Sequence, residues 1–278
     1  RKSWATVAGN THRVSKQAGR PRKPRCGVHA VDVLDFEGLQ DYTTILNAMR
    51  AHVASEYQKR LINKTAATQT EAQVQTQATT QVQTQEDTQH TAPHQIWLLE
   101  HAPVFTQGQA GRTEHILNPG NIPVVPSDRG GQVTYHGPGQ LVAYCLFELA
   151  PLKLDAHSLV HGLEQASLDY LQGIGIKTMV QDGAPGVYTE EGHKICSVGL
   201  RIRQGMSYHG LSVNVAMDLA PFTYIHPCGY PNLKMTEIRN FVPTIQMKET
   251  KVALLAQICR QFGLSVNTTK TIRGNHCD

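Results

Sequence analysis

The chain has 278 residues, with 26 Lys and Arg against 22 Asp and Glu, for a formal charge of +4 with histidine neutral. At 40% apolar and 17% charged it has enough core-forming material to exclude a wholly disordered chain, and no run approaches the ~20 consecutive apolar residues of a membrane-crossing helix. The basic excess is local: residues 1–26 hold eight basic residues and no acid, leaving 18 Lys and Arg against 22 Asp and Glu over the other 252 residues. Trp4 is the only aromatic in that tail, so it reads as a solvated extension over 1–30 rather than a nucleic-acid arm. It also lacks the apolar block of a secretory signal.

In chain order, Asp41 is placed to cap a helix running to about Arg60, with Ile45, Met49, Val53 and Tyr57 on one face. From Thr65 to Gln89, 16 of 25 residues are Thr or Gln, which predicts a disordered insert over 63–94 within a single domain of 31–264. Ile96–Leu99 resumes as a buried strand. Strands are then expected at 124–125, 132–135, 141–149, 177–180, 187–188, 194–203 and 211–215. A helix over about 159–171 is stopped by Gly173 and Gly175. Another over about 248–262 places Val252, Leu255, Ile258 and Phe262 inward, before a C-terminal tail over 265–278. Many strands with three helices out of strict alternation predict an α+β fold: a mixed or antiparallel sheet with helices packed on one side.

Three glycine-bearing stretches carry the chemistry. The first, Asp128-Arg129-Gly130-Gly131-Gln132-Val133-Thr134-Tyr135-His136-Gly137-Pro138-Gly139-Gln140, has the backbone freedom to lie against a ligand, with a fixed cation and a tunable histidine beside it. It matches neither a phosphate-binding loop nor a dinucleotide fingerprint. The second, Gly192 to Arg203, reads as a strand headed by Lys194, with Cys196 on the same face; Tyr208 to Val215 is its return strand. A lysine there is ordinarily a snorkelling surface residue unless a thiol or acid meets it. The third is Ile225-His226-Pro227-Cys228-Gly229, a turn that presents its thiol, whereas Cys145 and Cys196 read as strand interior. No C-x-x-C pair occurs among the six cysteines, which argues against a zinc ribbon or redox dithiol, and the 14 histidines lack ligand spacing.

Together these segments resemble the lipoyl/octanoyl transferases. The text that carries the resemblance is WLLEHAPVFTQGQAG at 97–111, RGGQVTYHGPGQLVAY at 129–144, GVYTEEGHKICSVGLRIRQGMSYHGLSVNV at 186–215 and PCG at 227–229. The resemblance spans roughly 31–62 and 95–262. It implies the fold of the biotin/lipoyl protein ligase catalytic module and a cysteine acyltransferase working without cofactor or metal. Octanoyl-acyl-carrier-protein would be the donor. Lipoyl domains of 2-oxoacid dehydrogenase and glycine cleavage proteins would be the acceptors. By the same resemblance Cys228 is the nucleophile and Lys194 its proton-handling partner. Substrate contacts fall on Arg129, Gly130, Gly131, Gln132, Val133, Thr134, Tyr135, His136, Ser197, Val198, Gly199, Gly210, Leu211 and Ser212. Backbone N–H groups of 129–139 or 197–199 are the expected oxyanion donors. Ser212 stands where alanine is commoner in the family. A monomeric cytoplasmic enzyme, with no nucleic-acid or membrane partner, is the expectation.

Two rivals stand beside this reading. An ATP-dependent lipoate or biotin ligase shares the expected fold but needs no nucleophilic cysteine, and the Asp128-Arg129-Gly130-Gly131 start lacks the paired arginine of lipoate ligases. A non-catalytic scaffold would tolerate loss of Cys228.

Overall fold

Residues 29–74 and 93–273 are described by the structure, a computed structural model, with side chains from 67 to 74 left aside. The basic tail up to residue 28 with Cys26, most of the Thr/Gln tract and the last five residues with Cys277 lie outside them. Eleven strands and four helices follow in order: β1 (His29–Gln40), α1 (Tyr42–Val74), β2 (His94–His101), β3 (Val104–Gln107), β4 (Val124–Pro126), β5 (Val133–His136), β6 (Gln140–Leu146), α2 (Leu149–Leu152), α3 (Ala156–Gly173), β7 (Thr178–Gln181), β8 (Ala184–Thr189), β9 (Lys194–Arg203), β10 (Met206–Asn214), α4 (Met247–Phe262) and β11 (Leu264–Arg273).

The large sheet has eight strands in the order β11-β1-β2-β6-β10-β9-β8-β7. Its first two pairings are parallel and the remainder antiparallel. A second sheet, β4-β3-β5, packs its Phe105, Val133 and Tyr135 with Met217, Phe222 and Ile225 in a core of its own. Alternation along the central strands divides the large sheet's burial between two faces. Ile96 and Leu98 of β2 and Leu141, Ala143 and Cys145 of β6 face α3 and α4. Trp97, Leu99, Val142, Tyr144 and Leu146 face the opposite way, onto Tyr42, Ile45, Met49 and Val53 of α1. The helices therefore cover both sides of the sheet, not the single side expected from sequence, because both residue sets of the central strands are apolar and each needs a cover.

Local chemistry sets the helix ends. Asp41 accepts from the backbone N–H of Thr44 at 2.7 Å and starts α1. Asp155 and Ser158 form a reciprocal capping box at the head of α3. Three boundaries differ from expectation. The helix α1 continues through residues 63–74, where an insert was expected to begin, because an established helix adds each Ala or Gln without a new nucleation cost. The segment 265–273 is the edge strand β11, paired in parallel with β1, rather than a tail. Its β-branched run Val266, Thr268, Thr269, Thr271 and Ile272 suits a strand, and Lys270 and Arg273 suit an edge. In α4 the buried positions are Thr250, Leu254, Ile258, Cys259 and Phe262, while Val252 is 65% exposed. The i, i+4 ladder set by Leu254 overrides the frame inferred from Val252.

Candidate active site

Lys194 heads β9, held there from outside the sheet. Its N–H donates to the carbonyl of Lys234 at 2.8 Å and its carbonyl accepts from Thr236 at 2.9 Å. The side chain is 2% exposed, so the surface reading of this lysine fails and the buried one holds. It runs beneath Gly186, whose φ of +130° and whose closeness both require glycine: a Cβ there would stand 2.6 Å from Lys194 Cε and 2.4 Å from the Cys196 carbonyl oxygen. The ammonium donates to the Pro185 carbonyl at 2.8 Å and to Cys228 Sγ at 3.3 Å, and lies 5.1 Å from the centre of the Tyr188 ring. Burial opposes the charge, but the Cys228 sulfur and Tyr188 outweigh it and hold the lysine pKa above its ordinary value.

Cys228 comes from the far side of the pocket, on the single turn Pro227–Gly229. Its φ of +55° is the left-handed region, unusual for a side-chain-bearing residue and a sign of strain kept at a site. The turn is clamped at both ends. His226 donates its N–H to the His115 carbonyl at 2.7 Å, and Gly229 to His226 at 2.9 Å. A Cβ at Gly229 would lie 3.0 Å from the Gln132 amide, which itself is hydrogen bonded to His115 Nδ1 at 2.8 Å. The other described cysteines are sealed. Burial pushes Cys196, beside Ser167, up to about 12 and Cys259 up to about 11, and raises Cys145 as well. Cys228 is half-buried and faces the cavity.

That cavity, ≈ 570 Å³, lies between the glycine-rich loop before β5, the middle of β9 and β10, and the turn of Cys228. Its lining includes Arg129 to Thr134, His136, Ser197 to Gly199 and Gly210 to Ser212. Thirteen of the fourteen residues expected to touch substrate thus surround one space. Tyr135 is the correction: it alternates to the other side of β5 and packs on Phe105 and Phe222. Val142, Val160, Val198, Leu200, Ile202 and Leu211 are also among its lining residues. Several of the expected oxyanion donors are already committed, among them Arg129 N–H to Ser127 Oγ at 3.3 Å, Gly130 N–H to Leu200 at 2.8 Å and Gly139 N–H to Glu100 at 2.7 Å.

Polar groups on the wall are fixed by hydrogen bonds that also set their protons. Arg129 is buried, with no carboxylate partner among the described residues, and gives its N–H groups to Thr106 and to the carbonyls of Gly130 and Gln132. The Thr236 carbonyl accepts from Asn214 Nδ2 at 2.8 Å, Asn214 Oδ1 from Gln140 Nε2 at 2.9 Å, and Gln140 Oε1 from His136 Nδ1 at 2.6 Å. A carbonyl can only accept, so this chain makes His136 an Nδ1–H tautomer with a lone pair on Nε2. Burial and the nearby His101 keep it neutral. Behind it, Asp128 accepts from His209 at 2.9 Å, Tyr208 at 2.8 Å and Arg50 at 2.9 Å. Burial works against its charge, yet these donors hold the Asp128 carboxyl well below the usual range.

Sequence reading missed Pro185, Gly186, Glu164, His115 and His101. The Pro-Gly pair advertised a turn, but its pressing on a lysine nine residues later is a tertiary fact without a local signal.

Three comparisons bear on this geometry. The model of the family described as the lipoyl protein ligase A/B catalytic domain matches residues 71–259. The chain is 52% identical over 177 residues to an octanoyltransferase of Pseudomonas entomophila, spanning 64% of this chain and 82% of that one. It is 53% identical over 184 residues to an octanoyltransferase of Cellvibrio japonicus, spanning 66% and 84%. Among solved structures, a bi-partite lipoate protein ligase of Thermoplasma acidophilum superposes with a TM-score of 0.58 over 88% of each chain at 13% identity, which is likeness of fold.

Proposed function

The chain belongs to the lipoyl/octanoyl transferase family, and from that premise we propose that it moves an octanoyl group from octanoyl-acyl-carrier-protein to a lysine of a lipoyl domain through a thioester on Cys228. The observation that carries the reading is the buried ammonium of Lys194 at 3.3 Å from the Cys228 sulfur, at the edge of a partly apolar cavity. The ammonium stabilises the thiolate, the form of cysteine that attacks carbonyls.

In the first half-reaction the Cys228 thiolate adds to the thioester carbonyl of the donor. The new carbon–sulfur bond forms, the bond to the carrier's sulfur breaks, and that leaving sulfur takes a proton from Lys194. Lys194 is then neutral in a buried site whose counter-charge has become an uncharged thioester. In the second half-reaction the incoming amine adds to the acyl-enzyme and yields its proton to Lys194. The carbon–nitrogen bond forms, and Cys228 departs as a thiolate beside a restored ammonium. Exchange of one thioester for another is nearly thermoneutral and the final amide is more stable, so no ATP is consumed.

The test is intact-protein mass spectrometry after mixing the chain with octanoyl-acyl-carrier-protein. An octanoyl adduct mapped to Cys228, discharged by a lipoyl domain without ATP, is the expected result. An adduct on Cys196, or transfer only with ATP and pyrophosphate release, overturns it.

A further inference from the structure

A buried carboxylate stands behind this pair, unused by the chemistry above. Glu164 lies on the inner face of α3 and is 8% exposed. Its Oε1 accepts the backbone N–H of Gly186 at 2.8 Å, and the preceding carbonyl, that of Pro185, accepts the Lys194 ammonium at 2.8 Å. The peptide between Pro185 and Gly186 is planar, so fixing its N–H fixes the direction of its C=O. We propose that Glu164 is a positioning residue: by holding the Gly186 N–H it aims the Pro185 carbonyl at Lys194 and so keeps the ammonium against Cys228.

Three observations point the same way. Burying a carboxyl is costly unless it is hydrogen bonded, and the bond Glu164 makes goes to the Gly186 N–H. Desolvation does raise the Glu164 pKa, opposed first by the Gly186 N–H and then by His161, Lys194 and His157, and among the described residues no arginine or lysine forms an ion pair with it. The loop it holds has no slack, since Gly186 presses directly on the Lys194 side chain. And the Lys194 ammonium is held by the Pro185 carbonyl, by the catalytic sulfur itself and, beside them, by Tyr188. Once that sulfur is acylated, the Pro185 carbonyl, with Tyr188, is left to hold the lysine where the incoming amine must find it. The second half-reaction therefore depends on Glu164 more than the first.

This inference rests on the acyl-transfer reading, and its test separates the two. Glu164→Asp keeps the carboxylate but shortens its reach to Gly186; Glu164→Gln keeps the reach and the acceptor but loses the charge. Positioning predicts that Glu164→Asp lowers kcat about tenfold, the effect of one lost hydrogen bond, with the donor KM unchanged, while Glu164→Gln stays within about twofold of the parent. The same ranking is expected in the rate at which iodoacetamide alkylates Cys228, a measurement that needs no acyl donor. If the wild-type chain forms no octanoyl adduct but the alkylation rates keep this order, positioning stands and the acyl-transfer reading falls. Impaired Gln with intact Asp would show that charge matters, not the hydrogen bond, and overturns the proposal. So does a set of folded variants with equal rates. Should Glu164→Asp not fold, a tenfold loss in the folded Glu164→Gln chain is sufficient to overturn it.

Discussion

Lys194 Nζ and Cys228 Sγ meet at 3.3 Å across 34 residues of chain, one group delivered by the first residue of a strand and the other by a strained turn. Neither element touches the other through its own hydrogen bonding, so the contact is made by the two side chains. Removing either partner is therefore expected to act on chemistry before it acts on folding. Cys228→Ala should abolish the acyl adduct, while Cys196→Ala, which empties a sealed position, should keep it. Lys194→Ala should slow both half-reactions by about a hundredfold or more, the usual share of positioned proton transfer. Single-turnover acylation and deacylation, followed by mass spectrometry, check both; an intact deacylation rate in Lys194→Ala would remove this lysine from the second step.

Gly186 gives a sharper steric test. Its φ of +130° excludes a side chain in comfort, and a Cβ would stand 2.6 Å from Lys194 Cε. Gly186→Ala should cost about 2–3 kcal/mol of stability from backbone strain and overlap together. Activity should fall more steeply than stability, since the atom displaced belongs to the catalytic lysine. Thermal unfolding and transfer rates measured on one preparation compare the two losses. A destabilised but fully active chain would show that the loop yields without moving Lys194.

How far the sequence already displayed this arrangement follows from the range of each interaction. The Asp41 cap and the α3 stop are contacts of a few residues, and the chain shows them plainly. Proline and glycine on either side of Cys228 announced a presented thiol. What no local pattern carried was pairing over distance. The Leu264–Arg273 strand reads as a tail because its partner β1 lies at the other end of the chain. Glu164 reads as one more polar helix residue until α3 is laid against Gly186. The pairing of Lys194 with Cys228 was legible only through resemblance, since alternation alone grouped that lysine with Cys196.

The apolar part of the cavity predicts how acyl length is read. Val142, Val160 and Leu211 lie among its lining residues, and each methylene of a bound chain buried there contributes about 0.8 kcal/mol. Shortening the donor from octanoyl to hexanoyl should then lower kcat/KM about fifteenfold, roughly fourfold per methylene, with no sharp threshold. Competition between carrier-bound acyl groups of successive lengths measures this gradient. An abrupt loss at one length would mean that a rigid end wall, not graded burial, selects the chain.

Buried neutral histidines make stability depend on acidity. His101 donates from Nδ1 to the Gln40 carbonyl at 3.0 Å and accepts at Nε2 from the Tyr144 hydroxyl at 2.7 Å, so its folded form has no place for a second proton. Burial lowers its pKa from 6.5 to about 4, and His94 is lowered to about 4 for the same reason. Above pH 6.5 both folded and unfolded chains are neutral at these positions and the histidines contribute their full stability. Between 6.5 and about 4 the unfolded chain binds protons that the folded chain refuses. Stability must fall with pH there by about 1.4 kcal/mol per unit for each histidine, about 3.5 kcal/mol each over the window, and level off below it. The loss runs towards acid because the folded pKa is depressed; a raised one would reverse it. In His101→Asn the slope of unfolding free energy against pH, from urea midpoints across that window, should drop by the share of one proton. An unchanged slope would mean that His101 accepts its proton without leaving Tyr144.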